Sequence, residues 1–485
     1  IKEVLLVNRE IIQQVMDKMQ EIMKKSVKKG LKEGNIGDLN KYFTEEYYKI
    51  GCEILKEIYE EIEEGIYQKN KESHKYSIIK TDIKTLVTSI GEVKFKKRLY
   101  RNNEGKSCYL FDRLMHIRKG ARYTVDAEWK AMEEVIETSY RRGGNSASIT
   151  SPLSKVTMMN MLKNLVIPER NYVVFKKKKV DYLYIDADED HIALQREEKL
   201  GEINKLIYVY EGIENESPIS ERKRLINPHY FGGISVKECD NSMLWEEVNN
   251  YIAEAYEIDK IKMIYINGDG ARWIKNGVYH FKRAKFVMDK FHITEYINRM
   301  TNHLEDSQDE AKAEIYRLLY KHNFDAYEEF IGKLYNTSIN SITLKNISDG
   351  DTYFRNNFES ICLRFSGDEN IMGCSAEGHI SHILASRMSS RPMGWTIDGA
   401  NKLTKLRLYK LNGGDIYTLV KANDLSRQSV TLKSSHEEDI TTFSASQVLE
   451  DINKKTHSEC KYIEHYHAEL TDLGKTMFAI HHIDF

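Results

Sequence analysis

Apolar residues recur at helical spacing near the start of the chain, where Ile11, Ile12, Val15, Met16, Met19, Ile22 and Met23 predict a helix over 10–23 before Gly30 and Gly34 interrupt the pattern. A second run, Phe43 to Ile66, sets Tyr47, Ile50, Ile54, Leu55, Ile58 and Ile62 on one face, so the first 70 residues read as a helical pair. From Leu86 to Arg101 the period changes to two. Val93 and Phe95 oppose Lys94 and Lys96 beyond a Gly91 turn, the pattern of a hairpin with one strongly basic strand. Helical spacing returns at Trp129, Met132, Val135 and Ile136, breaks at RRGGNSASITSP, and resumes in LSKVTMMNMLKNL. That order fits a helix-turn-helix whose second helix is Ser154 to Leu165, with Lys155 and Lys163 available to phosphates; two ordinary packed helices account for the same pattern.

Past Pro168 and the basic run Lys176 to Lys179, which reads equally as a solvated linker face, the text becomes α/β. Strands are expected at Val180 to Leu194, Asn204 to Gly212 and Arg224 to Gly233, followed by a helix at Leu244 to Tyr256. Two more strands follow, one opening Lys262 to Ile274 and one at Ala284 to Ile293. Three strands, a helix, a strand, a helical turn and a further strand is the order of an RNase H-like mixed five-stranded sheet with flanking helices. Charge-rich helical text from Tyr296 to about Leu363 then interrupts it as an all-α insertion, and Cys374 to Trp395 reads as a helix running until Pro392. The expected stretches are therefore 1–75 helical, 76–170 hairpin plus helical DNA-binding region, 171–295 first part of the core, 296–365 insertion, 366–425 second part of the core, and 426–485 a C-terminal region without clear signal.

Composition narrows the class without naming a partner. With 485 residues, 41% hydrophobic and 30% charged, and only 27 Gly and 5 Pro, the chain is globular rather than disordered or collagenous. No run approaches the roughly 20 apolar residues of a membrane span, and the charged start does not resemble a signal peptide. The chain opens at Ile1, so an initiator residue or short leader is expected ahead of it. Six cysteines (Cys52, Cys108, Cys239, Cys362, Cys374, Cys460) lie far apart with no C-x-x-C pair, which suits a reducing cytoplasm. Because 72 Lys+Arg nearly cancel 74 Asp+Glu, any polyanionic partner must meet a local patch.

Candidate chemistry sits at the strand ends. Phosphoryl-transfer enzymes of this sheet type hold two divalent cations about 3.5–4 Å apart on shared carboxylates. Asp188 ends the first strand, with Asp186 two residues earlier and hence on the same face. Asp269 ends the fourth strand between Gly268 and Gly270, and Glu377 comes from the helix after the insertion. Each has an ordinary alternative: a charged strand end, a turn residue, a helix-start carboxylate. Their joint occurrence in this order favours the catalytic reading.

The blocks IDADEDHIALQ, KRLINPHYFGG, YINGDGARWI, FVMDKFHITEYI and AEGHISHILASRMSSRPMGW resemble bacterial insertion-sequence transposases of the ISLre type, DDE enzymes related to the Mutator group, over about Lys84 to Lys410. The resemblance implies a core split by a helical insertion, DNA cleavage and strand transfer, and a triad at Asp188, Asp269 and Glu377 served by two Mg²⁺ or Mn²⁺ ions. Either Asp186 or Asp188 aligns with the first position; Asp188 is preferred. It further implies that Asp289 and His292 form the family's (C/D)-x-x-H motif, against a packing role for His292. Double-stranded DNA and a homo-oligomer, dimer or larger, are the implied partners. For the grip on DNA, Arg387 and Arg391 lie four apart beyond Glu377, Lys402, Lys405, Arg407 and Lys410 follow, and Trp395 is placed either to stack on an unpaired base or to pack in the core.

The C-terminal set His457, Cys460, His465 and His467 has zinc-type ligands but no standard spacing. Two other readings stand beside the transposase: a non-catalytic DNA-binding descendant, and a glycosidase with paired carboxylates, in which the insertion and basic segments have no purpose.

Overall fold

In a computed structural model the chain is described over residues 9–168, 176–195, 202–234, 238–338, 340–391 and 393–434. The described residues divide into two compact units, one from 9–135, 139–158 and 417–434, the other from 136–138 and 159–416.

In the first unit the helices Arg9–Glu33 and Ile36–Ser73 are both longer than the apolar runs that announced them. The first passes straight through Gly30, because Leu39 of the second lies against that bare backbone, and the break comes at Gly34 (φ +63°). Asn35 then caps the second helix by accepting the Gly37 N–H at 2.7 Å. Three antiparallel strands follow, β1 (Tyr76–Val87), β2 (Glu92–Asn102) and β3 (Ser107–Cys108), in the order β1-β2-β3. On β2, the Lys96 and Arg98 N–H groups donate to Glu60 Oε1 (2.9 Å) and Glu63 Oε1 (3.1 Å) of the long helix, so carboxylates satisfy donors no further strand takes. Phe95, Val93, Leu86, Tyr100, Ile66 and Phe111 form the core beneath.

Helices Val125–Glu137, Tyr140–Ala147 and Lys155–Asn164 complete this part of the chain. A side chain at Gly144 would meet the Leu153 carbonyl oxygen at 2.1 Å, so only glycine lets the turn before the third helix fold back onto the second. Ser154 caps that third helix by accepting the Thr157 N–H at 3.1 Å. Its outer face exposes Lys155, Val156, Met159, Asn160 and Lys163, while Met158, Met161 and Leu162 are buried.

The second unit is mixed α/β. Its strands are β4 (Tyr182–Ile192), β5 (Glu202–Tyr210), β6 (Gly212–Asn215), β7 (Lys223–Ile226), β8 (His229–Ile234), β9 (Met263–Gly268) and β10 (Ala284–Met288). Five make one sheet in the order β10-β9-β4-β5-β8, with β10, β9 and β4 parallel and β5 antiparallel to both β4 and β8. The strand expected over Arg224 to Gly233 is split: Asn227, at φ 49°, breaks it into β7, which pairs with β6 as a ribbon, and the sheet strand β8. The strand expected to run to Ile293 stops at Met288, because Asp289 caps the helix Lys290–Thr301.

Alternation along β4 and β5 separates two cores. Leu183, Ile185, Ala187, Ile207 and Val209 face Trp245, Val248 and Ile252 of the helix Glu238–Ala255. On the opposite face Tyr184, Tyr208, Tyr210 and Tyr265 meet Ile380, Ile383, Leu384 and Leu408. The insertion helices Gln308–Tyr320, Phe324–Asn336 and Ser341–Arg364 share their own core with Met288, Ile293 and Ile297. After them come Ala376–His379, a π-helical turn Ile380–Ala385, Ser386–Met388, and helices Ile397–Leu411 and Ile416–Ser434. No helix among the described residues is long and apolar enough to cross a membrane.

Candidate active site

The tyrosine face of the sheet carries the acidic residues, because Asp186, Asp188 and Asp190 share a parity with Tyr184 along β4. The parallel register of β4 and β9 runs as far as Asp186 against Asn267; Asp188 lies two residues further along β4, and Asp269 lies just past the end of β9 at Gly268. A side chain at Gly268 would lie 2.8 Å from Ile274 Cγ2 and 2.9 Å from the Ala187 carbonyl, so glycine is what lets the end of β9 press against β4. Asp269 is fixed locally: its Oδ1 accepts the Ala271 N–H at 2.8 Å and its carbonyl accepts the Tyr353 hydroxyl at 3.0 Å. Glu377 stands exposed in the first turn of the helix Ala376–His379.

Asp188 is 9% exposed, and Oδ1 accepts the Glu189 N–H at 2.8 Å. Burial is the main cause that pushes its carboxyl up to about 7; the Glu189 N–H opposes the rise, and the charges of Asp269, Glu377 and Glu189 add to it. Asp188, expected at a strand end, lies within β4, which stays paired with β5 as far as Ile192, and Asp269 lies just past β9, so the charges felt here come from a strand interior, a strand-end turn and a helix start. Glu189 points the other way, where Trp273 Nε1 donates to its Oε2 at 2.6 Å.

Asp186, two residues earlier, differs in kind. It is fully buried and accepts hydrogen bonds from the Tyr208 hydroxyl (2.9 Å), the Tyr210 hydroxyl (3.0 Å), Asn267 Nδ2 (2.7 Å) and the Ser375 N–H (2.9 Å). Asp190 binds the Ser389 hydroxyl through Oδ1 at 2.8 Å, and burial pushes its carboxyl upward.

Oxygen donors alone, with no Cys or His among Asp188, Asp269 and Glu377, suit Mg²⁺ or Mn²⁺. A cation would favour the charged form that burial, and to a lesser degree the neighbouring carboxylates, disfavour at Asp188. Among the described residues no group of three or more His, Cys, Asp or Glu side chains is placed to hold a metal ion, so the fit lies in donor type and charge alone.

The basic segment departs from expectation. A regular helix until Pro392 was expected; instead a π turn separates Glu377 from Arg387 and the helix ends at Met388, so Arg391 lies beyond it and shares no helix face with Arg387. Arg387 is buried, its guanidinium 5.0 Å over the Trp395 ring, and Trp395 is buried too, donating from Nε1 to the Met388 carbonyl at 2.8 Å. Neither presents a surface to DNA. Lys402 donates to the carbonyls of Lys163 (2.6 Å) and Leu165 (2.8 Å), closing the end of the helix Lys155–Asn164. Arg407 is buried against the carbonyls of Ile383, His382 and Ile136, and Lys410 pairs with Glu137. Arg391 and Lys405 are exposed.

Asp289 is the N-cap of the helix that opens the insertion, accepting the Phe291 N–H at 3.2 Å. Burial raises its carboxyl, and the charges of His292 and Arg364 pull it down. His292 is partly exposed, with Nδ1 3.9 Å from Glu295 Oε2. Ser375 reads in the sequence as the cap that starts the Glu377 helix and is its N-cap, but sequence reasoning missed Asn267, Tyr208, Tyr210 and Arg364 around Asp186; the one available signal was that Asn267 stands two residues before a singled-out carboxylate. The set His457, Cys460, His465 and His467 falls outside the described residues.

The model of an uncharacterised protein family, UPF0236, matches residues 27–423. A UPF0236 protein of Caldanaerobacter subterraneus subsp. tengcongensis that carries eleven separate designations is 33% identical over 388 residues, 80% of each chain. A second from that organism is 32% identical over 406 residues, 84% of this chain and 85% of the relative. A third, with four designations, is 31% identical over 407 residues, 84% of each.

Proposed function

We propose, for a chain that belongs to the uncharacterised protein family UPF0236, that it is a DDE transposase: it binds the ends of an insertion sequence and cleaves and joins DNA strands. The observation that carries this reading is the placement of buried Asp188 on the tyrosine face of β4, where Gly268 at the end of β9 packs on the Ala187 carbonyl and Asp269 follows it; the charges of Asp269 and Glu377 add to the rise that burial causes at Asp188. Two features support it. The strand order β10-β9-β4-β5-β8, with β5 alone reversed, is the order of an RNase H-like sheet. A relative under eleven designations is what a mobile element in many copies leaves in a genome.

In this reading Asp188, Asp269 and Glu377 hold two Mg²⁺ or Mn²⁺ ions. When bound, the ions supply activation of the attacking oxygen and neutralisation of the leaving one. The chain supplies placement. Gly268 lets the end of β9 press on β4, and Gly270, at φ +96° and close to Met288 and Asn357, takes a backbone turn that a side chain would strain, so the two glycines set the Asp269 loop in place. Arg391 and Lys405, both exposed, are the cations of the basic segment open to the DNA backbone. The helix Lys155–Asn164, with Lys155, Asn160 and Lys163 around exposed Val156 and Met159, has the make-up of a helix that reads a groove. Water attacks the phosphorus at the element end and the bond to the 3′ oxygen breaks, leaving a 3′-hydroxyl and a 5′-phosphate; that 3′-hydroxyl then attacks a phosphorus of the target DNA in the same site, and the target's own bond to its 3′ oxygen breaks, releasing a target 3′-hydroxyl. Pairing two ends calls for a dimer or larger assembly, working in the cytoplasm on the nucleoid.

Nicking of a linear duplex that carries the DNA flanking the gene, with Mn²⁺ present, tests the proposal. Cuts at the element end that vanish in Asp269→Asn are expected. Binding of that duplex without any cut would leave a DNA-binding descendant without catalysis.

A further inference from the structure

Asp186 and Asp188 look interchangeable in sequence, yet their surroundings assign them different work. A carboxylate offers about four lone-pair sites. At Asp186 four donors fill them: two tyrosine hydroxyls of β5, the Asn267 amide of β9 and the backbone N–H of Ser375. The Ser375 hydroxyl adds a contact at 3.3 Å and also meets the Tyr208 hydroxyl at 2.8 Å. Nothing remains for a cation. The Asn267 amide is itself oriented. Arg364 Nη2 meets its Oδ1 at 2.6 Å, and a guanidinium only donates, so the amide NH₂ must turn to Asp186. Arg364 ends the last insertion helix and also donates through Nε to the Met288 carbonyl at 2.9 Å. The chain Arg364, Asn267, Asp186, Ser375 therefore ties β9, β4 and β5 to the residue that begins the Glu377 helix.

We propose that Asp186 is the positioning residue of this site: through Ser375 it fixes the start of the Glu377 helix against β4, and it is not itself a cation ligand. The inference rests on the reading of Asp188, Asp269 and Glu377 as the cation-holding set. Ser375 precedes Glu377 by two residues, with Ala376 buried between them, so a shift at Ser375 is passed directly to the carboxylate. Outer partners of this kind typically change metal affinity 10- to 100-fold when lost.

The test is a Mn²⁺ titration of the full chain read by electron paramagnetic resonance of the free ion, with thermal unfolding of each variant alongside. Asp188→Asn should abolish tight binding. Asp186→Asn should weaken it about tenfold. In a Glu377→Gln background, Asp186→Asn should add little, because its effect passes through Glu377. Tyr210→Phe, which removes one donor and leaves the carboxylate in place, should give a smaller loss of the same kind and serves if Asp186→Asn does not fold. Asp186→Asn abolishing binding, additively with Glu377→Gln, would make Asp186 a ligand and overturn the inference. Wild-type affinity in both Asp186→Asn and Tyr210→Phe would overturn it too, with the cation-holding set untouched. A wild-type chain that takes up no Mn²⁺ would sink both the set and the inference.

Discussion

The acidic end of β4 and the basic stretch from Arg387 to Lys410 each concentrate one sign of charge, and the fold treats them differently. On β4 the charges sort by their partners: Asp186 is saturated with donors inside the sheet, while Asp188, among the described residues, accepts the Glu189 N–H alone and is pushed up by burial, with the charges of Asp269 and Glu377 adding to the rise. Along the basic stretch most cations turn inward. Arg387 lies on Trp395, Arg407 binds carbonyls, Lys402 closes a helix, and Arg391 and Lys405 remain outside. A strand's two-residue period carries its pattern into space faithfully; a helix interrupted by a π turn does not. The sign of a charge is written in the sequence, but its exposure depends on whether the local period survives folding.

The largest effects expected from breaking this contrast are in stability. Trp395→Ala should cost about 3–5 kcal/mol by removing a large buried ring, and Arg407→Ala a comparable amount by leaving buried carbonyls without a donor. Urea unfolding checks both; a loss under about 0.5 kcal/mol would return these residues to the surface role that their sequence suggested.

Glu63 extends the comparison to a buried carboxylate that has donors on one oxygen and none on the other. Burial is the main cause that pushes it up to about 7, against the Arg98 N–H and the Tyr100 hydroxyl. A carboxyl raised in the folded state contributes stability that is complete below its unfolded value near 4.5 and is lost as pH rises through 7. The melting temperature should therefore fall between about pH 4.5 and 7, and Glu63→Gln should remove its share of that fall, on the order of 2 kcal/mol at the upper end, while the raised Asp188 carboxyl keeps its own share. An unchanged pH profile in the variant would refute the assignment.

The smallest stability effects belong to Arg391→Ala and Lys405→Ala, under about 0.5 kcal/mol each. Both should weaken DNA binding across sequences and lower the salt slope by about one per residue, measured by fluorescence anisotropy at several salt concentrations. No change in the slope would remove them from the DNA surface.

The sheet was legible because apolar alternation at Leu183, Ile185, Ala187, Ile207 and Val209 is strict. Asp186 and Asp188 were legible because they fall within that alternation, between Ile185 and Ala187 and just beyond, and Asp269 because it follows the last apolar run of β9. The split at Asn227 was not, since a left-handed residue leaves no mark on hydropathy. Nor was the hub around Asp186, which gathers Tyr208, Asn267, Arg364 and Ser375 from separate elements by hydrogen bonds that carry no period.

The central claim is that three converging carboxylates make a nuclease site. Glu377 is exposed, so Glu377→Gln should leave the fold intact, and single-turnover cleavage of a duplex carrying the element end, with Mn²⁺, isolates its chemical role. The account predicts a loss of at least about 100-fold in cleavage with DNA affinity unchanged. Cleavage within about twofold of the unaltered chain would contradict it.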